Sequence, residues 1–239
     1  MRVILLSDVH ANLVALEAVL AAVPPHDAVW VMGDTVGYGP DPSDTLALLR
    51  ERGATVVAGN HDLAVATGEG LGAFNPAAAA AAKLHRAWLS PEERDALAAL
   101  PLVLRTGGAT CFHGSLRDPV WEYVFDVRSA AATLERAETD LCCNGHTHVP
   151  AIFERAGAGA RLVRPRADET YPLGATALVN PGSVGQPRDG DARASWAMLD
   201  TDARTVEFRR TAYDVAETQG RIRDRGLPGF LADRLAAGL

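Results

Sequence analysis

Short apolar runs alternate with helical patterns along the first 150 residues of the chain. Apolar runs at 2–6, 28–32 and 55–58 are separated by amphipathic stretches at 12–22 and 41–52. An alanine-rich helical stretch at 77–100, with a second start signal at Ser90, precedes apolar runs at 103–105, 110–112 and 140–143, and a further helix is predicted at 129–137. This alternation is typical of crossover units on a mostly parallel sheet.

After Pro150 the pattern changes to short β-type runs separated by turn residues. The runs are AIFERAG, ARLVRP, ATALVN, ASWAMLD and TVEFRRT. They predict a second, more antiparallel sheet, followed by a helical segment at 215–239 that is interrupted at 226–229. The polar segment 165–173 is the best candidate for a mobile insertion. We expect a single α/β domain that spans residues 1–239.

Composition and charge restrict the classes of function. The chain has 239 residues, of which 48% are apolar and 22% charged, as in soluble globular proteins. Its net charge of −7 predicts no surface for long nucleic acid or an anionic membrane. Lys83 is the only lysine, which excludes most lysine-dependent chemistry. The apolar run before Ser7 is too short for a signal peptide, and three cysteines make no disulfide framework, so we expect a cytoplasmic protein.

Polar clusters begin where five of the predicted strands stop. In chain order they are SDVH from Ser7, GD at Gly33, GNHD from Gly59, HG at His113 and NGHTH from Asn144. Ligands bind at the carboxyl ends of parallel strands, so these clusters are expected to converge on one sheet edge. Five of the seven histidines lie in them. The other two, His26 and His85, are interpreted as ordinary surface or helix residues.

The residue types in these clusters favour divalent metals. Asp, His and Asn supply mixed oxygen and nitrogen ligands, which suit Mn, Fe, Co, Ni or Zn. Eight such side chains are too many for one ion and suit two ions that share a carboxylate. Taken alone each motif is weak, because GD is usually a turn and GNHD is compatible with an ordinary loop. The order and number of the clusters carry the prediction.

The ordered set DVH, GDTVGYG, GNHD, HGS and GHTH resembles the calcineurin-like metallophosphoesterase superfamily. The later segment NPGSVGQPRDGD and the GYGPDP that follows Asp34 are similar to a bacterial and archaeal phosphodiesterase-like branch. The resemblance implies a four-layer α/β/β/α fold, in which a two-sheet β-sandwich is flanked by helices. It also implies a hydrolase that holds two divalent ions, with manganese favoured, and that attacks phosphorus with a hydroxide bridging them.

The resemblance assigns roles to individual residues of this chain. The first ion is implied to bind Asp8, His10 and His148, the second Asn60, His113 and His146, with Asp34 bridging. His61 is implied to lie near the leaving-group oxygen, as a general acid or a stabiliser of the transition state. For the neighbouring Asp62 two interpretations stay open: it orients His61, or it caps the segment that follows.

Departures from better-known relatives favour a diester substrate. Phosphoprotein phosphatases that resemble this family carry an acid and two arginines where this chain has Gly37, Tyr38 and Ala58. The two arginines would form a clamp on a phosphomonoester dianion. Without this arginine clamp the site suits a singly charged phosphodiester better. Arg117 and Arg188 are candidate phosphate contacts, with a local ion pair as the alternative. Tyr38 is a candidate for lining the pocket or stacking on a base.

Other functions stay open at this stage. The same fold would serve a phosphomonoesterase, a phosphoprotein phosphatase or a dinucleoside polyphosphate hydrolase, and some similar proteins are non-catalytic scaffolds. We expect a small phosphoester as the partner, and no long nucleic acid or membrane; the oligomeric state is open. In LCCNGHTHVP, Cys142 and Cys143 suggest a Cys/His zinc site at first sight. Because the five clusters already supply enough ligands, both cysteines are interpreted as apolar strand residues.

Overall fold

The computed structural model describes all 239 residues and contains twelve β-strands and eight α-helices. The strands are β1 Arg2–Leu6, β2 Ala28–Val31, β3 Thr55–Val56, β4 Val103–Thr106, β5 Ala109–Phe112, β6 Leu141–Cys143, β7 Ala151–Ala156, β8 Gly159–Val163, β9 Thr170–Pro172, β10 Ala177–Asn180, β11 Ala194–Asp200 and β12 Thr205–Thr211. The helices are α1 Leu13–Ala22, α2 Pro42–Glu51, α3 Asn60–Thr67, α4 Pro76–Trp88, α5 Pro91–Ala98, α6 Val127–Leu134, α7 Val215–Asp224 and α8 Gly229–Asp233. Two 3₁₀ turns lie at Leu71–Ala73 and Arg234–Ala237.

The strands form two six-stranded mixed sheets. The first has the order β3-β2-β1-β11-β12-β9, and the second has the order β4-β5-β6-β10-β7-β8. Strands β1, β2 and β3 are parallel to one another, as are β5, β6 and β10, whereas all other neighbouring strands are antiparallel. The loops that follow the parallel strands of each sheet therefore lie together at one edge of that sheet.

The two sheets pack face to face, with helices on the outside. In β1 the alternate residues Val3 and Leu5 enter the core between the sheets, whereas Ile4 and Leu6 pack with residues of α1. On the second sheet Cys143 lies in the core between the sheets and Cys142 packs with residues of α6. A period of two places successive strand residues on opposite faces, and here both faces are covered. The predicted two-sheet sandwich flanked by helices is confirmed.

The assignment of strands to sheets differs from the sequence expectation. The strands after Pro150 do not form a sheet of their own: β7, β8 and β10 join β4, β5 and β6, whereas β9, β11 and β12 join β1, β2 and β3. The pattern of apolar residues identifies a strand but not its neighbour, because both faces of either sheet demand the same residues.

Two local expectations are also corrected. The prediction of a mobile insertion at 165–173 is wrong for Thr170–Pro172, which forms the edge strand β9 and pairs with β12. The GNHD motif opens α3, a helix that the sequence analysis did not predict. The helical stretch at 77–100 is divided into α4 and α5 by a capping box at Ser90, as its start signal indicates. None of the helices combines the length and hydrophobicity that crossing a membrane requires.

Candidate metal centre

The polar clusters come together where the two sheets end side by side. Asp8 and His10 follow β1, and Asp34 follows β2, both in the first sheet. His113 follows β5, and His146 and His148 follow β6, all in the second sheet. The clusters therefore converge on a joint edge of two sheets, and not on one sheet edge as expected. Each candidate ligand is at most 4% exposed.

The first group of donor atoms belongs to Asp8, His10 and His148. The Nε2 atoms of His10 and His148 are 3.1 Å apart, and His148 Nε2 lies 3.3 Å from Asp8 Oδ1. His10 Nε2 lies 3.9 Å from the same oxygen. Ligand atoms at about 2.1 Å from one ion are about 3.0 to 3.4 Å apart, so this spacing is compatible with a shared divalent ion.

The second group centres on His113. Its Nε2 atom lies 2.9 Å from His146 Nδ1, 3.2 Å from Asn60 Oδ1 and 3.4 Å from Asp34 Oδ2. The same carboxylate oxygen of Asp34 is 3.7 Å from His10 Nε2 in the first group. Asp34 thus stands between both groups, and its Oδ1 atom is held by the backbone N–H of His61 at 2.8 Å.

The hydrogen bonds of the four histidines leave a lone pair directed at the centre. The Nδ1 atoms of His10, His113 and His148 contact the carbonyl oxygens of Val36, Met32 and Gln186 at 3.0, 2.7 and 2.6 Å. A carbonyl oxygen only accepts, so each Nδ1 donates and each Nε2 is free to bind a cation. His146 is reversed: its Nε2 atom donates to the Trp121 carbonyl at 3.1 Å, and its Nδ1 atom faces the centre.

Burial and the charge of Asp34 act in opposite directions on the histidines of the centre, and burial prevails at His10, His146 and His148, whose pKa values are lowered. Burial lowers the pKa of His113, but the charge of Asp34 and a hydrogen bond with it outweigh burial and raise that pKa to about 9. Burial raises the pKa of Asp8 to about 7, and its Oδ1 atom has no hydrogen-bond partner. Buried carboxylates, an orphaned oxygen and bare imidazole nitrogens are together a donor set that fits divalent metal ions.

Comparison with known proteins agrees with this geometry. The family model of the calcineurin-like phosphoesterase superfamily domain matches residues 1–204. The chain belongs to this superfamily. The crystal structure of a metallophosphoesterase from Sphaerobacter thermophilus superimposes on this chain with a TM-score of 0.92 at 43% sequence identity, covering 100% of this chain and 99% of that one.

Two further relatives differ in how much of this chain they match. The uncharacterized protein MJ0912 of Methanocaldococcus jannaschii is 33% identical over 248 aligned residues, which cover 98% of this chain and 96% of that protein. A symmetrical bis(5'-nucleosyl)-tetraphosphatase of Pectobacterium atrosepticum is 46% identical over 68 residues, which are 26% of this chain and 24% of that enzyme.

The backbone of the chain is strained at the candidate site. Nine residues other than glycine have a positive φ angle in the whole chain. Seven of the nine lie in the loops that build the centre: Asp8, His10, Ala11, Asp34, Tyr38, His146 and His148. Such conformations are costly for residues with a Cβ atom and persist only where the surrounding structure enforces them, often at functional sites.

His61 is packed tightly beside the two donor groups. Its ring is 3% exposed and stacks on Phe74, and its Nδ1 atom has no hydrogen-bond partner. Burial lowers the pKa of His61 to about 4, although the charge of Asp34 opposes this. Gly37 lets the loop before α2 pack directly against the His61 ring, because its φ is +90° and a Cβ atom there would collide with the imidazole. With His10 and Asp34, His61 also forms a third set of potential ligands within 4.8 Å.

Asp62 holds the backbone around the site. Its carboxylate accepts hydrogen bonds from the N–H groups of Gly59, Thr35 and Val36, at 3.0, 2.9 and 3.2 Å, and from the Thr35 hydroxyl at 2.6 Å. The bond from the Gly59 N–H caps the start of α3 through the Asp62 carboxylate at N3; glycine has no side chain to return a second capping bond. None of these bonds involves the His61 ring, so the contacts match the capping interpretation and not direct orientation of His61.

A pocket of about 150 Å³ opens onto the donor groups. Of the three predicted substrate contacts, two line this pocket and one does not. Arg188 and Tyr38 line it; an Arg188 amino group lies 3.0 Å from Gln186 Oε1 and 3.4 Å from the Tyr38 hydroxyl. The Nε atom of Arg188 is buried without a partner. Arg117 does not line the pocket, because it is paired with Glu122 in an exposed salt bridge. The structure thus supports the ion-pair alternative for Arg117.

His85 is a residue whose position the sequence analysis missed. It is fully buried in α4, where its Nδ1 accepts from the Gly37 N–H at 3.0 Å and its Nε2 donates to the Gly39 carbonyl at 2.8 Å. It therefore braces the loop that carries Tyr38. The sequence does contain a signal for the burial of His85. This residue shares one helical face with Ala78, Ala81 and Ala82, and small residues at that spacing indicate close packing.

Neither cysteine of β6 contributes to the centre. Cys142 and Cys143 are completely buried in the apolar layers, as predicted, and burial raises the pKa of the Cys142 thiol to about 12. We expect Cys142→Ala and Cys143→Ala each to leave the metal content unchanged, whereas His146→Ala and His148→Ala each lower it. Elemental analysis of protein loaded with manganese and purified without chelators measures this. Loss of metal from a folded cysteine variant would contradict the assignment.

Proposed function

We propose that this phosphoesterase is a phosphodiesterase that uses two divalent metal ions, with manganese favoured, to hydrolyse small diesters or nucleotides. The observation that carries the proposal is the position of Asp34, whose Oδ2 atom lies 3.7 Å from a nitrogen of one donor group and 3.4 Å from a nitrogen of the other. A carboxylate shared in this way suits two ions about 3.5 to 4 Å apart. Two separate single-ion sites would not need it.

When bound, the metal ions supply an activated water and neutralise charge on the phosphoryl oxygens. The chain's own residues hold and surround the phosphoester. Arg188 offers a partly buried guanidinium with an unpartnered Nε atom at the pocket wall. His61 also lines the pocket; the negative phosphoester would favour protonation of its ring, which then donates to the leaving oxygen. Asp62 and His85 keep the loops around these groups in place.

The wall of the pocket supports a diester over a monoester. Arg188 is the only arginine among the residues that line it, and Gly37, Tyr38 and Ala58 occupy the places of the missing clamp. Ala58 is completely buried and offers no charge. A single guanidinium suits one negative charge, whereas a dianion gains most from bidentate or paired arginines.

A second candidate within the same chemistry is cleavage of a dinucleoside polyphosphate. The segment of 68 residues that is 46% identical to a symmetrical bis(5'-nucleosyl)-tetraphosphatase favours it. We also propose that residues 205–239, which lie beyond the family match, belong to the same domain, because Leu231 and Leu235 pack in one cluster with Tyr38. The cytoplasm is the proposed compartment, since all three cysteines are free thiols.

The choice between diester and monoester can be tested with a matched pair of substrates. We expect manganese-loaded protein to hydrolyse bis-p-nitrophenyl phosphate with a kcat/KM at least about tenfold above that for p-nitrophenyl phosphate. Release of p-nitrophenol measures both rates, and elemental analysis should give two ions per chain. A preference for the monoester would reverse the substrate assignment, and a metal-loaded protein that hydrolyses neither ester would favour the scaffold alternative.

A further inference from the structure

Aromatic rings surround the mouth of the pocket above the candidate metal centre. Besides Tyr38, three of them line it: Phe74, Trp121 and Tyr123. Phe74 stacks on His61 with ring centroids 4.5 Å apart, and its centroid is 5.4 Å from that of Trp121. Tyr123 stacks on His146 at 3.7 Å with the planes 15° apart. Two rows of rings therefore start at the centre and reach the protein surface.

Most of this aromatic surface lies outside the core: Phe74 packs against two core clusters, whereas neither Trp121 nor Tyr123 packs against one. None of the three rings belongs to the fully buried core, and the Tyr123 side chain is 42% exposed. Tyr123 is followed by Phe125, which is 56% exposed and stacks on it at 5.0 Å. Neighbouring exposed rings at the rim of a pocket mark a binding surface more often than a structural one. Their position at the mouth indicates that they contact the part of a substrate that extends away from the metal centre.

The geometry of the reaction restricts the occupant of the mouth. A phosphoryl group bound at metal ions that Asp34 and His146 would hold lies at the end of the pocket that these two residues line. The organic substituent of the ester must then extend along the remaining walls. Those walls present the three rings together with Tyr38, the polar side chain of Asn75 and the guanidinium of Arg188. Planar rings favour a planar aromatic substituent over a flexible alkyl chain.

We propose that Phe74, Trp121 and Tyr123 form a subsite for the base of a nucleotide ester. This subsite, called the base subsite below, gives a substrate class to the site of the proposed function and rests on that function. A nucleobase is the planar group that biological phosphoesters carry, and aromatic side chains stack on any base without requiring a particular sequence of hydrogen-bonding groups. The selectivity it supplies is therefore for nucleotides over sugar phosphates and lipid-type esters.

The test compares two ligands that share a phosphate and a ribose but differ in the base. Binding of AMP and of ribose 5-phosphate to the manganese-loaded protein is measured by calorimetry. We expect AMP to bind at least about tenfold more tightly. In Trp121→Leu this ratio should fall to about threefold or less, mainly through weaker binding of AMP, because the backbone carbonyl that contacts His146 remains. Phe74→Leu provides a second, independent variant.

Phe230→Leu is the matched control, because Phe230 lies in α8, is 61% exposed and does not line the pocket. It should keep the ratio of the unmodified protein. Equal binding of AMP and ribose 5-phosphate to the unmodified protein would overturn the base subsite, as would a ratio that survives in both Trp121→Leu and Phe74→Leu. Failure of the proposed function is recognised separately: it is the lack of hydrolysis of both nitrophenyl esters, which binding of AMP does not measure.

Discussion

Replacing Asp34 with asparagine is expected to lower kcat for bis-p-nitrophenyl phosphate by roughly a thousandfold or more and to reduce the bound metal below two ions per chain. The Oδ2 atom of Asp34 is the one oxygen that lies within 3.7 Å of histidine nitrogens in both donor groups. Asparagine keeps the size of the side chain and an acceptor for the His61 N–H. It removes the charge that favours two cations at short separation.

Activity and metal content of the same samples measure this effect. Asp44→Asn is the matched control, because Asp44 is exposed in the first turn of α2, away from the pocket. It should retain both the rate and the two ions. Thermal unfolding without added metal should show that Asp34→Asn is folded. An Asp34→Asn protein with full metal content and a rate within tenfold of the unmodified protein would remove the basis for a bridging carboxylate.

The candidate ligands could be identified from sequence because their signals are local. Each polar cluster stands directly after an apolar run, and in the structure Asp8, Asp34 and His113 do follow strands. The strand is identified by its own residues, and the end of a strand fixes where the next side chains lie. The layered fold follows from the same signals, because alternating strands and helices have few ways to cover their apolar faces.

Features that depend on distant partners could not be predicted. The split of the strands after Pro150 between two sheets depends on pairings such as that of β1 with β11, which no local pattern encodes. The role of His85 depends on its contacts with Gly37 and Gly39, more than forty positions away. The same holds for Trp121, whose carbonyl fixes the tautomer of His146 and whose ring reaches Phe74 only in the folded chain.

The second large effect is expected for His61→Gln, which should lower kcat by about 10² to 10³ without changing the metal content. The ring of His61 lines the pocket, and its Nδ1 atom has no partner within the protein. A residue that protonates the leaving oxygen matters most when that oxygen is a poor leaving group. We therefore expect a larger loss of rate for diphenyl phosphate than for bis-p-nitrophenyl phosphate, whose nitrophenolate leaves easily without a proton.

The difference between the two esters separates proton donation from other roles of His61. A histidine that only stabilised charge on the phosphoryl oxygens would give an equal loss for both substrates, and one that only shaped the loop would chiefly raise KM. The third set of potential ligands, His10, Asp34 and His61, sets a further condition: a fall in metal content would make His61 a ligand. His26→Gln is the matched control, since His26 is exposed and contacts only the Pro24 carbonyl. Equal losses for both esters at full metal content would leave His61 as a stabiliser of the transition state, with water protonating the leaving group.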